Sequence, residues 1–367
     1  AEHARQSSAN VTTGNIIRAL RLLDDIDWMA WFETVSLVDQ ALRERSDYRH
    51  LDKSSRNAYR DTIERIARRS RLSEVEVAAT AIRLAGTRDD VGRVLLGDRL
   101  GELEAAAGYR PLWAERLRRG YRRLGWLGLF IPVMLVALGL AAVAAAILPG
   151  SVPTGLRFLL VCLAFLCASE VATALVSLAV TRVIPPARLP AYDYRDGVPE
   201  EARTLVVIPC LLSSYDTVDD LLSNLELHYL ANPRGAVSFA LLSDWSDAAT
   251  ETVLGDGEIL AHARAGIDAL AERYDHDGGR RFFLLHRRRL WNPAEGAWMG
   301  WERKRGKLGE LNQLLRGEPD TTFIDTGPRP PAGTRYVVTL DSDTRLPRDC
   351  VAALVGKIAH PMNRPVT

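Results

Sequence analysis

Two apolar runs, set back to back near the middle of the chain, constrain its architecture more than any other feature. The first, from Trp126 to Leu148, reads "WLGLFIPVMLVALGLAAVAAAIL" and carries no charge. A break, "PGSVPTG", leads to a second run from Leu156 to about Val180, with Arg157 at its edge and Glu170 inside. Each run matches the roughly 20 residues that cross a bilayer core. One such run could be the centre of a soluble bundle, but two in tandem predict a transmembrane hairpin over residues 124–184, with helices at about 126–148 and 156–180. Arg116, Arg118, Arg119, Arg122 and Arg123 precede it, Arg182, Arg188 and Arg195 follow it, and the connecting loop has neither Lys nor Arg. Basic flanks mark the cytoplasmic side, so both long flanking regions are expected to be cytoplasmic. Glu170 is costly in hydrocarbon, which predicts either a functional role or a partner on further membrane helices.

Residues 1–123 read as a helical cytoplasmic region. "NIIRALRLLDDIDWMAWFETVSLVDQAL" has apolar residues at helical spacing. Ser73 followed by Glu76 in "SEVEVAATAIRLA" is a capping-box pattern. In "RNAYRDTIERIARRS" acids and bases alternate as on a solvated helix face, and Trp28, Trp31 and Phe32 read as core. No metal-ligand spacing and no nucleophile with its base occurs here. Lys and Arg total 47 against 46 acids, so charge does not point to nucleic acid. Cys162, Cys167, Cys210 and Cys350 show no CxxC spacing and no disulfide framework, and a reducing compartment is expected.

A polar, proline-containing linker, "PPARLPAYDYRDGVPEEA" (185–202), separates the hairpin from a region of different pattern, 203–367. There "RTLVVIPCLL", "AVSFALLSDWSD", "RRFFLLHRRR" and "RYVVTLDSD" read as strands, with helices between them at "DTVDDLLSNLELHYLAN", "EILAHARAGIDALAERY" and "KLGELNQLLRG". Asp216 is the expected N-cap of the first of these helices. Continuous apolar strands alternating with helices predict an α/β unit with a mostly parallel sheet. Ligands bind such sheets at the carboxyl ends of the strands, where Asp244, Asp341 and Asp343 fall.

Asp341-Ser342-Asp343 admits two readings. Aspartates cap turns readily, and two carboxylates flanking one residue can also share a hard divalent cation. Arg345 and Ala352 at the fifth and twelfth places exclude a calcium hand, and Arg345 also excludes an aspartyl phosphatase motif. No Gly-Lys-Thr phosphate loop and no GxGxxG is present. The basic stretch "WMGWERKRGKLGELNQLL" (298–315) favours a metal-diphosphate site: Lys307 is expected at a helix opening, where donors and dipole already favour anions, with Gly309 allowing close approach and Asn312 near the same face. A basic helix lying on lipid headgroups is the competing reading.

These motifs resemble the front half of processive glycosyltransferases of the cellulose and chitin synthase kind. More closely, "WMGWERKRGKLGELNQLLRG" and "YVVTLDSDTRLP" look like the cyclic β-1,2-glucan synthases of Gram-negative bacteria, and the helical region and hairpin resemble the part preceding the transferase there. The resemblance implies a GT-A-like, Rossmann-like nucleotide-sugar domain in a multi-pass protein of the bacterial inner membrane, transferring glucose from UDP-glucose to a growing β-1,2-glucan with inversion. It implies that Asp244 contacts the uridine, Lys307 the diphosphate, and Asp341 and Asp343 a Mg²⁺ or Mn²⁺ ion, while Pro209 shapes the nucleotide pocket. The catalytic base, the Gln/Arg-x-x-Arg-Trp acceptor motif, further membrane helices and downstream modules are expected beyond Thr367. A piece beginning at Ala1 and stopping there is therefore expected to bind donor without transferring it. A synthase using another sugar nucleotide, or a non-catalytic membrane scaffold, are the alternatives.

Overall fold

The computed structural model describes residues 28–364 except 87–89, 185, 187, 276–278 and 319, together with residues 15, 18 and 21. The helical pattern expected over residues 15–27 therefore lies largely outside the described residues. In chain order the first helices are α1 (Trp28–Val35), α2 (Leu37–Arg45), α3 (Lys53–Ala67), α4 (Glu74–Ala85), α5 (Val91–Leu95), α6 (Leu100–Ala107), α7 (Trp113–Arg123), α8 (Leu127–Ile147) and α9 (Thr154–Val183). The chain divides into two compact units. One is Asp61–Gly86 with Val94–Arg188; the other holds the described residues of Ala1–Arg60, Thr87–Arg93 and Leu189–Thr367.

The first unit is helical. Helix α4 opens on the expected capping box: the Ser73 hydroxyl accepts from the Glu76 amide, and the Glu76 carboxylate accepts from the Ser73 amide at 2.8 Å. Arg119 donates to both oxygens of Glu104, at 2.6 and 2.7 Å, tying α7 to α6. Helices α8 and α9 pack against each other, and their buried positions include Gly128, Ala137, Ala141, Ala168 and Ala172. Small side chains let two helix backbones approach closely without a wide apolar stripe. The large residues point outward: Leu135, Phe158 and Leu166 are all more than half exposed. Both helices are long and apolar enough to cross a membrane. Helix α9 starts earlier and ends later than expected, and its 30 residues span about 45 Å. Glu170 is on its exposed surface.

In the other unit, two readings of the N-terminal region are corrected. Arg56 and Arg60 do not lie on a solvated face, because they serve buried acids. Arg60 holds Asp39, which is fully buried, and Glu33, while Arg56 reaches Glu33 at 3.1 Å. Conversely Trp28, Trp31 and Phe32 are not core; each is about half exposed. The stretch 189–202 is packed, with Ala191, Val198 and Ala202 buried, the Ala191 amide on the Ser55 hydroxyl at 2.8 Å, and Tyr192 bridged to Leu51.

The remaining elements are β1 (Thr204–Leu212), α10 (Tyr215–Ala231), β2 (Val237–Trp245), α11 (Asp256–Tyr274), β3 (Phe282–His286), β4 (Leu290–Asn292), β5 (Ala297–Met299), α12 (Arg303–Leu315), β6 (Tyr336–Thr339) and α13 (Cys350–Ala359). Strands β3-β2-β1-β6 form one parallel sheet, with Thr204 opposite both Val237 and Tyr336. The fold is α/β, as the alternation predicts. Strand alternation sorts the sheet into two faces. Val206, Phe239, Leu241, Phe282 and Leu284 pack with apolar residues of α10, α11 and α13. Leu205, Val207, Ala240, Leu242, Phe283 and Leu285 pack with Leu311 of α12. Burial on both faces is why these strands read as continuous apolar runs. Helix α10 is capped by Ser214, which accepts from the Thr217 amide, and not by Asp216. The antiparallel hairpin β4–β5 was not foreseen, since three-residue strands are too short to show a period of two.

Candidate functional site

From β1 the chain builds outward through β2 to β3, then returns to the other side of β1 as β6. The strand order thus reverses beside β1, and ligands of parallel sheets bind at the carboxyl ends of the strands near such a reversal. A cavity of about 450 Å³ lies there, lined among others by Pro209, Asp244, Trp245, Lys304, Lys307 and Ser342. The structure thus brings Pro209, Asp244 and Lys307 together.

Alternation determines what meets beneath this cavity. Asp244 continues the Ala240–Leu242 side of β2, and Arg287 continues the Phe283–Leu285 side of β3, so both face α12. On α12, Lys307, Glu310 and Leu311 share one buried side. Arg287 forks Asp244, with Nε 2.7 Å from Oδ1 and Nη2 3.0 Å from Oδ2, and its Nη1 reaches Glu310 at 2.7 Å. Lys307 Nζ lies 3.0 Å from Asp244 Oδ2 and donates to the carbonyls of Cys210 at 2.7 Å and Leu242 at 3.4 Å. The second oxygen of Glu310 accepts from the amide and hydroxyl of Thr322 at 2.6 and 2.7 Å. Two acids and two bases thus cancel in charge, and their donors and acceptors are matched. Such matching is what makes a buried ionic cluster tolerable. Burial pushes the Lys307 ammonium below its usual range, against the opposing pull of Asp244. Burial likewise pushes the Cys210 thiol up to about 12, leaving it inert.

Arg287 and Glu310 escaped the reading of the sequence. The signal was present: Arg287 keeps the parity of Phe283 and Leu285, and Glu310 is one helical turn from Lys307. Three other details differ from expectation. Lys307 stands in the second turn of α12, not at its opening. Gly309 has nothing near it, while Gly300 and Gly306 are the close-packed glycines, against Asp244 and Trp301 respectively. Asn312 is exposed. The turn into α12 places two non-glycine residues, Glu302 and Arg303, at φ of 45° and 48°, a costly conformation held by the surrounding packing.

Asp341 and Asp343 lie at the rim. The Thr344 amide donates to the Asp341 carbonyl at 3.0 Å, so the motif forms a turn, and both side chains project into solvent. Asp341 pairs with Lys304 of α12. The register explains why the motif leaves the sheet here. Leu340 donates to the Val207 carbonyl at 2.9 Å, and the next backbone donor on that side of β1 would come from Pro209, which has none. Among the described residues no three His, Cys, Asp or Glu side chains converge as a metal cage. Two exposed carboxylates instead suit a cation that completes its shell with diphosphate oxygens and water.

One aromatic residue, Trp245, lines the cavity. Trp245 ends β2 with Arg289 over its ring, 5.3 Å from the centroid, and His286 edge-on at 4.3 Å. His286 Nδ1 meets the Ser243 hydroxyl at 2.9 Å, and burial pushes the ring down to about 4, so it is neutral at pH 7.

No protein-family profile matches the chain. The chain is similar to the curated cyclic beta-(1,2)-glucan synthase NdvB of Rhizobium meliloti (strain 1021), with 50% identity over 379 aligned positions. The match covers all of this chain and 13% of that relative, so the chain spans a small part of the protein it resembles.

Proposed function

The chain is homologous over its whole length to a segment of a cyclic β-(1,2)-glucan synthase, and on that premise we propose that it is the membrane-anchored, donor-binding part of a β-1,2-glucan glucosyltransferase. The hairpin α8–α9 crosses the bacterial inner membrane, with the α/β unit and the N-terminal helices on the cytoplasmic side. The α/β unit is GT-A-like and takes UDP-glucose, transferring glucose with inversion to the growing glucan. The base and the acceptor motif belong to other parts of the protein, as do the further membrane helices and modules.

The observation that carries this reading is the cavity at the carboxyl ends of β1 and β2, with two carboxylates, two lysines, an arginine and a tryptophan in its wall and two further carboxylates at its rim. Asp244 accepts three of the roughly four hydrogen bonds a carboxylate can take, which leaves one for the uridine. Lys304 brings positive charge to the diphosphate, and Lys307, whose charge Asp244 balances, lies in the wall beside it. Helix α12 opens without a side-chain cap, so its first amides add to that attraction. Asp341 and Asp343 would hold Mg²⁺ or Mn²⁺, which would neutralise the leaving diphosphate.

The test is UDP binding to the full-length protein by calorimetry, with and without Mn²⁺, for the parent and for Asp343→Ala. Metal-dependent binding lost in the variant is the expected result. Equal binding by both proteins would remove the metal role, and absence of binding in the parent would favour a scaffold.

A further inference from the structure

A second cavity, of about 640 Å³, is built on the hairpin β4–β5 and the turn into α12. Three of the chain's eight tryptophans, Trp291, Trp298 and Trp301, fall within residues 291–301. Trp291 is 50% exposed and Trp301 is 53% exposed, and both line this cavity. Trp298, half-buried, backs Trp291 at a centroid distance of 6.0 Å. The hairpin is pinned rather than loose. Trp298 exchanges both backbone hydrogen bonds with Ala248, at 2.8 and 2.9 Å, just beyond the end of β2. Asn292, Glu295, Glu302 and Arg305 complete the lining with polar groups.

Arg303 lines both this cavity and the donor cavity. Its Nη2 bridges Asp247 at 2.9 Å and Glu295 at 3.1 Å, one carboxylate toward each cavity. Its left-handed backbone lets the chain pass between the two spaces, with Gly300 and Lys304 on the donor side and Trp301 and Arg305 on the other.

We propose that the hairpin cavity is a glucan-binding subsite that holds glucose units of the polymer beside the donor site. The reading rests on the proposed glucosyltransferase function and adds a place for the polymer. A pyranose ring has an apolar face of C–H groups and an edge of hydroxyls. It is matched by a flat indole beneath and by amide, carboxylate and guanidinium groups at the side, a composition typical of small-ligand cavities. Half-exposed tryptophans held on a pinned hairpin offer such faces with little ordering cost on binding. An anionic lipid surface fits less well, because the lining is concave and its bases Arg303 and Arg305 are balanced by Glu295 and Glu302.

The experiment is photocrosslinking of the full-length protein in detergent with a diazirine-bearing linear β-1,2-linked glucose pentamer, mapped by mass spectrometry. Crosslinks within residues 290–305 are expected, competed by the unlabelled pentamer but not by UDP. Trp291→Ala should reduce them at least ten-fold, while Trp291→Tyr, which keeps an aromatic face, should retain most of them. Trp291 is the better target because Trp301 packs against α12 at Gly306. Crosslinks confined to other regions, undiminished labelling in Trp291→Ala, or competition by anionic lipid vesicles in place of the pentamer would overturn the proposal. Metal-dependent UDP binding, measured on the same preparation, reports on the donor site separately. Its loss would count against the glucosyltransferase reading, whereas UDP binding without hairpin crosslinks would count against the subsite alone.

Discussion

Gly300 lies directly against Asp244: a Cβ at position 300 would stand 2.6 Å from the Asp244 carboxyl carbon and 3.0 Å from Arg287 Nη2. The glycine is there for space, since the side chains it touches are locked in the ionic cluster beneath the cavity at the strand ends.

Gly300→Ala is therefore expected to force the cluster apart, at about 1–3 kcal/mol of stability, and to weaken UDP binding. Gly309→Ala is the control. Position 309 is helical and open, so alanine there should stabilise by about 0.5–1 kcal/mol and leave UDP binding unchanged. Melting temperature and UDP titration of both variants check this.

Removing Arg287 leaves two buried carboxylates facing a single lysine. Arg287→Met is expected to cost about 3–5 kcal/mol, the usual penalty for orphaning a buried charge. Arg287→Lys keeps the charge but loses the fork on Asp244, so it should cost less. Denaturant unfolding of the two variants beside the parent orders them.

Lys304 occupies Asp341 with its ammonium, on the solvent side of the turn. An exposed pair of this kind contributes about 0.2–1 kcal/mol. Lys304→Met should therefore raise the affinity for Mn²⁺ alone, by at most about five-fold. If Lys304 also meets the diphosphate, affinity for UDP should fall in the same variant. Calorimetry with Mn²⁺ and then with UDP separates the two effects.

His286 gives the protein a pH dependence of known sign. Its folded value is about 4, against 6.5 for the free side chain, because burial opposes its charge. As pH falls below 6.5 the unfolded chain takes up this proton and the native chain does not, so stability is full above pH 6.5 and declines toward pH 4. The loss from this group is about 3 kcal/mol. His286→Gln should flatten the fall in melting temperature over that interval.

Legibility followed the range of the physics involved. Strands β1, β2 and β3 were readable because burial on both faces leaves uninterrupted apolar runs, and α4 because its cap is encoded within four residues. Asp244 and Lys307 were legible as residue types at a strand end and near a helix start, and Pro209 as a proline within an apolar strand. The roles of Arg56 and Arg60 were not, because their partners Glu33 and Asp39 are distant in sequence or masked by an ordinary surface pattern. Trp28 and Trp31 were misread as core for the same reason: an aromatic at helical spacing does not report what covers it.

The sequence by itself determined the membrane-length hairpin, the parallel α/β class and the placing of acids at strand ends, since each depends on local periodicity and composition. Tertiary structure decided that Arg287 and Glu310 join Asp244 and Lys307, that Gly300 and not Gly309 makes room for them, and that Trp291 and Trp301 share a cavity beside the one at the strand ends. Those relations arise where β2, β3 and α12 converge, and a side chain's partner across such a junction depends on register and packing between segments far apart in the chain.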